Sequence, residues 1–118
     1  MVAMRLIPFL QSLATDTNPR IVDSKFIQLD ITSTVRLYVW SHDPPVISVA
    51  CGSEVRVLIG LPYHVVRTFF APVNHGDMWR VIIDACEYDP ESIAVGIAWA
   101  LRLEMQQKQP KLMRGLKQ

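Results

Sequence analysis

The first half of the chain alternates apolar and polar side chains with a period of two. In residues 27–31, and again in residues 35–39, every second residue is Val, Leu or Ile. Such alternation places one set of side chains on a buried face of a strand and the other set on the opposite face. Pro44 and Pro45 end the pattern, because proline donates no hydrogen bond to a ladder. Two strands are therefore predicted before Pro44.

The next segment, residues 46–60, is predicted to form a hairpin. Gly52 lies at its centre, and a glycine at the first central position suits a type II′ turn. This turn would set Ala50 beside Val55 in the hairpin. Together with the two earlier strands, the hairpin predicts an antiparallel four-stranded meander over about residues 25–60.

The second half of the chain changes to the 3.6-residue period of helices. Three prolines, Pro8, Pro62 and Pro90, are placed where a first helical position would be. Asp89 is predicted to cap the last helix. Helices are predicted over about residues 8–14, 62–70, 77–87 and 90–107. The predicted fold class is α+β, with these helices packed on one face of the sheet.

The last predicted helix carries apolar residues on more than one side. Its core face is predicted to comprise Ile93, Ala94, Ile97, Ala98, Leu101 and Met105. The opposite side should be polar, yet Val95 and Trp99 lie there one turn apart, with Leu103 close to them. Two interpretations are open: other helices of the same chain cover these side chains, or Val95, Trp99 and Leu103 bind a partner.

Small residues also recur every four positions in this helix, at Ser92, Gly96 and Ala100. A glycine inside a helix costs about 1 kcal/mol relative to alanine. Close packing against a second backbone would offset that cost. The stripe is therefore interpreted as a site of close approach, either within the chain or to a second molecule.

A second candidate surface lies on the sheet. Arg36, Tyr38 and Trp40 are predicted to point away from the face that carries Leu37 and Val39. If helices cover the Leu37 face, the row of arginine and aromatic residues is open. Such a row can stack nucleic-acid bases or serve as a protein hot spot, where Trp, Tyr and Arg are enriched. Ordinary core packing is the third interpretation.

Composition narrows the class of protein. The chain has 118 residues, of which 50% are hydrophobic and 19% charged, so one folded domain is expected rather than disorder. No apolar run is long enough to span a membrane, and the first residues do not resemble a secretory signal. Cys51 and Cys86 form no CxxC pair, which favours a reduced, cytoplasmic protein.

Few residues suggest catalysis. His75 and Asp77 invite an acid/base or metal interpretation, but both also suit a turn or a helix cap. No HxH, HExxH or CxxC spacing is present, and the glycines form no nucleotide-binding loop. No metal and no cofactor are therefore predicted.

Charge is distributed unevenly along the chain. The basic residues after position 104 are Lys108, Lys111, Arg114 and Lys117, with no acid, while the preceding residues carry a net charge of −3. The domain is expected to span residues 1–107, followed by a basic, flexible tail at 108–118. Such a tail could contact nucleic acid or an acidic protein surface.

These patterns favour a small non-enzymatic protein-binding module, adaptor or regulatory in role, which self-associates through its C-terminal helix. The expected partners are a second copy, another protein, or both, with no membrane insertion. The alternative is an accessory nucleic-acid-binding protein that uses the basic tail and the Arg36, Tyr38 and Trp40 face. A third hypothesis is a small enzyme with a site near His75 and Asp77.

Overall fold

The computed structural model describes residues 5–14, 16–23, 26–40, 44–66 and 74–108. Within these residues the chain forms four helices and five strands. In chain order they are α1 (Leu6–Leu13), β1 (Arg20–Val22), β2 (Phe26–Asp30), β3 (Val35–Trp40), β4 (Val46–Cys51), β5 (Glu54–Gly60), α2 (Tyr63–Val66), α3 (His75–Tyr88) and α4 (Pro90–Lys108).

The sheet is an antiparallel meander in the order β1-β2-β3-β4-β5. The α+β class is thus confirmed, but the prediction of four strands misses β1. This strand has only three residues, too few to show alternation, and it pairs with β2 by placing Arg20 opposite Gln28. Asp23, which follows it, has a φ of 55°, in the left-handed region that a tight reversal uses.

The predicted hairpin is confirmed in turn and register. Gly52 has a φ of 62°, whereas Ser53 is not among the residues with positive φ, the combination of a type II′ turn. Ala50 pairs with Val55. Further along the hairpin the register shifts, because Leu58 is an extra residue between the pairs Ser48–Val57 and Ile47–Ile59.

One face of the sheet forms the core with the helices. Its fully buried side chains include Ile27, Leu29, Val35, Leu37, Val39, Ile47, Val49 and Cys51. The helices contribute Leu6, Leu10, Val81, Ile82, Ala85, Cys86, Ile93, Ala94, Ile97 and Ala100 to the same cluster. The structure is therefore a two-layer arrangement with its helices on one face. None of the helices in the described residues is both long and apolar enough to cross a membrane.

Helix α4 is rotated relative to its predicted orientation. It lies against β3, β4 and β5, and its buried residues are Ile93, Ala94, Gly96, Ile97, Ala100 and Glu104. Met105, which was predicted to be in the core, is 61% exposed. The prediction placed neither Gly96 nor Glu104 in the core, although both face the sheet. It was therefore wrong about which side of the helix is buried.

The small residue Gly96 sets how closely α4 approaches β5. A Cβ atom added to Gly96 would overlap both Cδ atoms of Leu58 and lie 2.9 Å from its Cγ. The close approach expected from the small-residue stripe is therefore made within the chain, where Leu58 occupies the space above Gly96.

Buried Glu104 is tied to the loop between β2 and β3. The Thr32 hydroxyl donates a hydrogen bond of 2.7 Å to Glu104 Oε2 and accepts one of 2.9 Å from the backbone N–H of Val35. The carboxylate is thus paired where it enters the layer between helix and sheet, as buried polar groups require.

The other helix boundaries differ modestly from prediction. Helix α1 begins at Leu6 rather than Pro8, and its buried residues are Leu6 and Leu10. Helix α3 begins at His75, two residues early, because Asn74 accepts a hydrogen bond from Asp77 N. Asp89 caps α4 as predicted, accepting hydrogen bonds from the backbone and hydroxyl of Ser92. Of the predicted helix 62–70, residues 67–70 lie outside the described residues.

We expect Gly96→Ala to destabilise the fold, although alanine favours a helix by about 1 kcal/mol. Overpacking against Leu58 opposes that gain with about 1–3 kcal/mol. Urea unfolding of Gly96→Ala should therefore show a net loss of about 1 kcal/mol. In a Leu58→Ala background the overlap disappears, so the same substitution should stabilise. If Gly96→Ala has the same effect in both backgrounds, Leu58 does not limit this position.

Candidate functional site

The sheet has a second face that none of the described helices covers. We call it the open face; it carries Phe26, Gln28, Asp30, Arg36, Tyr38, Trp40, Val46, Ser48, Ala50, Val55 and Val57. Of these, Gln28, Ser48 and Ala50 are buried, and Val55 and Val57 are exposed. The burial pattern of β3 alternates strictly, so Arg36, Tyr38 and Trp40 lie on this face and Leu37 and Val39 in the core. The predicted register of β3 is confirmed.

An aromatic cluster occupies one end of the open face. Phe26 pairs with Trp40 across β2 and β3, with ring centroids 4.5 Å apart. The ring of Tyr38 meets that of Phe26 edge-on, at 5.0 Å and 87°. Trp40 Nε1 donates a hydrogen bond of 3.2 Å to the hydroxyl of Ser48. These contacts hold the rings in fixed positions, with Tyr38 and Trp40 half-buried.

The opposite end of the open face is aliphatic. Val55 and Val57 of β5 are 65% and 62% exposed, and they pair with Ala50 and Ser48 of β4. Neither valine, nor Phe26, was predicted from the sequence to belong to a candidate site. The alternation of β2 and β5 could have found all three, because each pairs with a residue on the same face as Tyr38.

Charged residues lie along the remaining edge of the open face. Arg36 donates a hydrogen bond of 2.9 Å to the carbonyl oxygen of Gly52 and lies 6.0 Å from the ring centroid of Tyr38. Arg20 forms an ion pair of 3.1 Å with Asp30, which also accepts a hydrogen bond from Gln28. The open face therefore mixes aromatic, aliphatic and charged groups.

The environment of Asp30 changes its pKa. Partial burial raises the pKa of Asp30, but the hydrogen bonds from Gln28 and Arg20 and the positive charges of Arg20 and Arg36 lower it more. The net result is a pKa below the usual value, so the carboxylate is charged at neutral pH.

A second apolar surface lies on α4, with Trp99 and Leu103 on the side that extends over β5 and Val95 on the side that faces away from the sheet. We call it the α4 flank; it comprises Val95, Trp99 and Leu103. Val95 is 65% exposed, while Trp99 and Leu103 are half-buried and contact the core cluster. The guanidinium of Arg56 on β5 lies 4.9 Å from the ring centroid of Trp99. Cation–π contact thus holds Trp99 at the edge of the sheet.

The two cysteines are buried, Cys86 within the apolar core and Cys51 with its thiol 3.6 Å from Gln107 Oε1, to which it donates a hydrogen bond. Burial raises the pKa of Cys86 to about 12. Burial, with a contribution from the charge of Glu104, also raises the pKa of Cys51. Both thiols are therefore protonated at neutral pH, which does not favour thiolate chemistry at either position.

The hypothesis of a site near His75 and Asp77 can be followed only for Asp77. Asp77 lies in the first turn of α3, where its backbone N–H donates to the cap Asn74. The side chain of His75 and all of His42 lie outside the described residues, and His64 is exposed. Among the described side chains, no group of three or more His, Cys, Asp or Glu residues could hold a metal ion.

A shallow cleft of about 380 Å³ lies between α1 and α3. The residues that line it are Gln11, Ala14, Gly76, Trp79, Arg80, Ile83 and Asp84. Trp79 Nε1 is buried and makes no hydrogen bond to the described residues. Asp77 is not among the described residues that line this cleft.

Comparison with protein-family models, with curated proteins and with solved structures finds no match for this chain. Of the basic tail, Lys108 is the last residue of α4, and Lys111, Arg114 and Lys117 lie outside the described residues.

We expect the ion pair of Asp30 to make stability pH-dependent. Because its pKa is lower in the folded chain than the ordinary aspartate value of 3.8, Asp30 stabilises the fold above that value. This contribution is lost as the pH falls through the folded pKa. Arg20→Gln should raise the pKa of Asp30, measured by NMR titration of its carboxyl carbon. Arg102→Gln, an exposed change on α4, should leave it unaltered; equal titration curves for wild type and Arg20→Gln would contradict this account.

Proposed function

We propose that this chain is a non-enzymatic protein-binding module, adaptor or regulatory in role, that self-associates through the α4 flank. The observation that carries the proposal is Val95, a valine 65% exposed on a helix, beside Trp99 and Leu103. Exposed apolar side chains that are contiguous mark interaction surfaces more often than isolated ones do. The open face, with Arg36, Tyr38 and Trp40, would then bind another protein.

The charge of the surfaces favours protein over nucleic acid as the partner. The chain before the basic tail has a net charge of −3, which repels phosphates. On the open face Asp30 is a charged carboxylate beside Arg20 and Arg36. Aromatic residues and arginine around a half-buried centre are the composition of protein hot spots. Two buried thiols also suit the reducing cytoplasm, which we propose as the location.

The second candidate function is nucleic-acid binding. It is supported by the position of Arg36 beside Tyr38 on a sheet face that none of the described helices covers, an arrangement that can stack single-stranded bases. The basic tail, with Lys108, Lys111, Arg114 and Lys117, would supply the phosphate contacts. No specific observation supports the third hypothesis, an enzyme with a site near His75 and Asp77.

We expect Val95→Glu to dissociate the self-associated form. A carboxylate buried in an apolar interface without a partner is strongly unfavourable, whereas the exposed position tolerates it in the monomer. Light scattering after size exclusion, at tens of micromolar chain, should give a dimer for wild type and a folded monomer for Val95→Glu. Trp99→Glu should act in the same direction, with some loss of stability because Trp99 also contacts the core.

Met105→Glu provides the matched control. Met105 is 61% exposed on the same helix, but it lies nine residues, or two and a half turns, from Gly96 and therefore on the side away from β5. This variant should remain dimeric. A monomeric wild type would exclude self-association, and dissociation by Met105→Glu would place the interface elsewhere on α4.

Nucleic-acid binding makes a different prediction. If it is the function, removal of residues 108–118 should weaken retention of single-stranded oligonucleotide at about 50 mM salt, because exposed charge contacts are screened less there. Trp40→Ala should weaken it further at all salt concentrations, since stacking does not depend on screening. Fluorescence anisotropy of a labelled oligonucleotide measures both effects. Absence of binding by the full chain would remove this candidate.

A further inference from the structure

Strand β5 is a long sheet edge. It has seven residues and, among the strands of the described residues, pairs with β4 alone. The opposite edge, β1, has only three residues. A long edge strand with exposed apolar side chains is a template for pairing with another strand, and on β5 those side chains are Val55 and Val57.

The backbone N–H and C=O groups that do not pair with β4 belong to the same two residues, Val55 and Val57. A two-residue hairpin closes on a hydrogen-bonded pair, here Cys51 and Glu54. Hydrogen-bonded and non-hydrogen-bonded pairs then alternate along the ladder. The N–H and C=O groups of Val55 and Val57 therefore point away from β4, toward the position that an added strand would take.

The sequence of β5 restricts how a second copy could pair with it. Leu58 is the extra residue of a bulge, so regular strand geometry covers only Glu54 to Val57. In an antiparallel strand pair, residues that lie opposite each other are on the same face of the sheet. A two-fold axis that relates two copies of β5 must therefore pass midway between the two copies of one residue. An axis at Arg56 would set two arginines directly opposite each other, which is unfavourable.

We propose that two copies of this chain join through β5, antiparallel, with the two-fold axis at Val55. Glu54 of each copy then lies opposite Arg56 of the other, giving two complementary charge pairs on the helix side of the sheet. Val55 meets its own counterpart on the open face. The result is one ten-stranded sheet. This inference rests on the proposed self-association and specifies its geometry.

The α4 flank fits this arrangement. Strands are spaced about 4.8 Å apart, so a helix that lies against β3, β4 and β5 and is centred above β4 lies roughly 7 Å from the axis. The two copies of α4 would then be about 14 Å apart, beyond the 8–10 Å of tightly packed helices. Trp99, held over β5 by Arg56, lies on the side of α4 that faces this gap, together with Leu103. Edge pairing thus covers Val55, and the side chains of Trp99 and Leu103 face their counterparts across this gap.

Cysteine cross-linking tests the register. In the proposed pairing the two Val55 Cα atoms are about 5.5 Å apart, within disulfide range. The two Val57 Cα atoms are separated by four residues along the strands, roughly 14 Å, which is out of range. Val55→Cys should therefore convert to a covalent dimer under mild oxidation with diamide. Val57→Cys, an equally exposed position on the same face, should remain uncross-linked on non-reducing gels.

Each outcome has a definite meaning. Cross-linking of Val57→Cys instead of Val55→Cys would overturn the register. A wild type that is dimeric by light scattering, with neither variant cross-linked, would overturn the β5 interface but leave the proposed self-association standing. A monomeric wild type would overturn both.

Charge reversal provides an independent test. Glu54→Arg should weaken the dimer on the order of tenfold, because it sets two arginine pairs opposite each other. Glu54→Arg combined with Arg56→Glu restores opposite charges and should recover much of the affinity, measured by sedimentation equilibrium. The single variant Arg56→Glu sets two glutamate pairs opposite each other and also removes the contact with Trp99, so it should weaken the dimer at least as much as Glu54→Arg. If the double variant is no tighter than Glu54→Arg alone, these residues do not face each other.

Discussion

The contact between Gly96 of α4 and Leu58 of β5 determines how the two layers fit together. Because Gly96 has no side chain, Leu58 fills the space against the helix, and α4 comes close to the sheet. Ile93, Ile97 and Ala100 then reach the core. The same rotation of the helix leaves Val95 exposed and brings Trp99 over Arg56. The core and the α4 flank are therefore consequences of one close approach.

Coverage of a single sheet face has a second consequence. Five antiparallel strands have two faces, and the described helices cover only the one with Leu37 and Val49. The other face keeps its own internal order, because Phe26, Tyr38 and Trp40 pack on one another and Ser48 binds the indole N–H. Rings held in this way lose little side-chain entropy when a partner binds, which favours recognition on this face.

Much of the fold follows from local pattern, and what was missed has physical reasons. Alternation defined the faces of β3, and glycine chemistry defined the hairpin, because each depends on a few neighbouring residues. β1 was missed because three residues show no period. The rotation of α4 was missed for two reasons. Gly96 contributes nothing to a hydrophobic pattern. Glu104 is a charged residue whose burial depends on its hydrogen bond with Thr32, a residue distant in the sequence. The open-face residues of β5 required strand pairing, which sequence alone supplies only once the register is known.

The open face and the α4 flank meet at strand β5. Its alternation directs Val55 and Val57 to the open face, while Arg56 lies on the helix side beside Trp99. A second copy paired along this edge would extend the open face across the two-fold axis, and it would bring the two aromatic clusters onto one continuous surface. The partner surface of such a dimer is twice that of one chain, and a partner with two matching segments gains effective concentration from it. Self-association and partner binding would then be linked through a single strand.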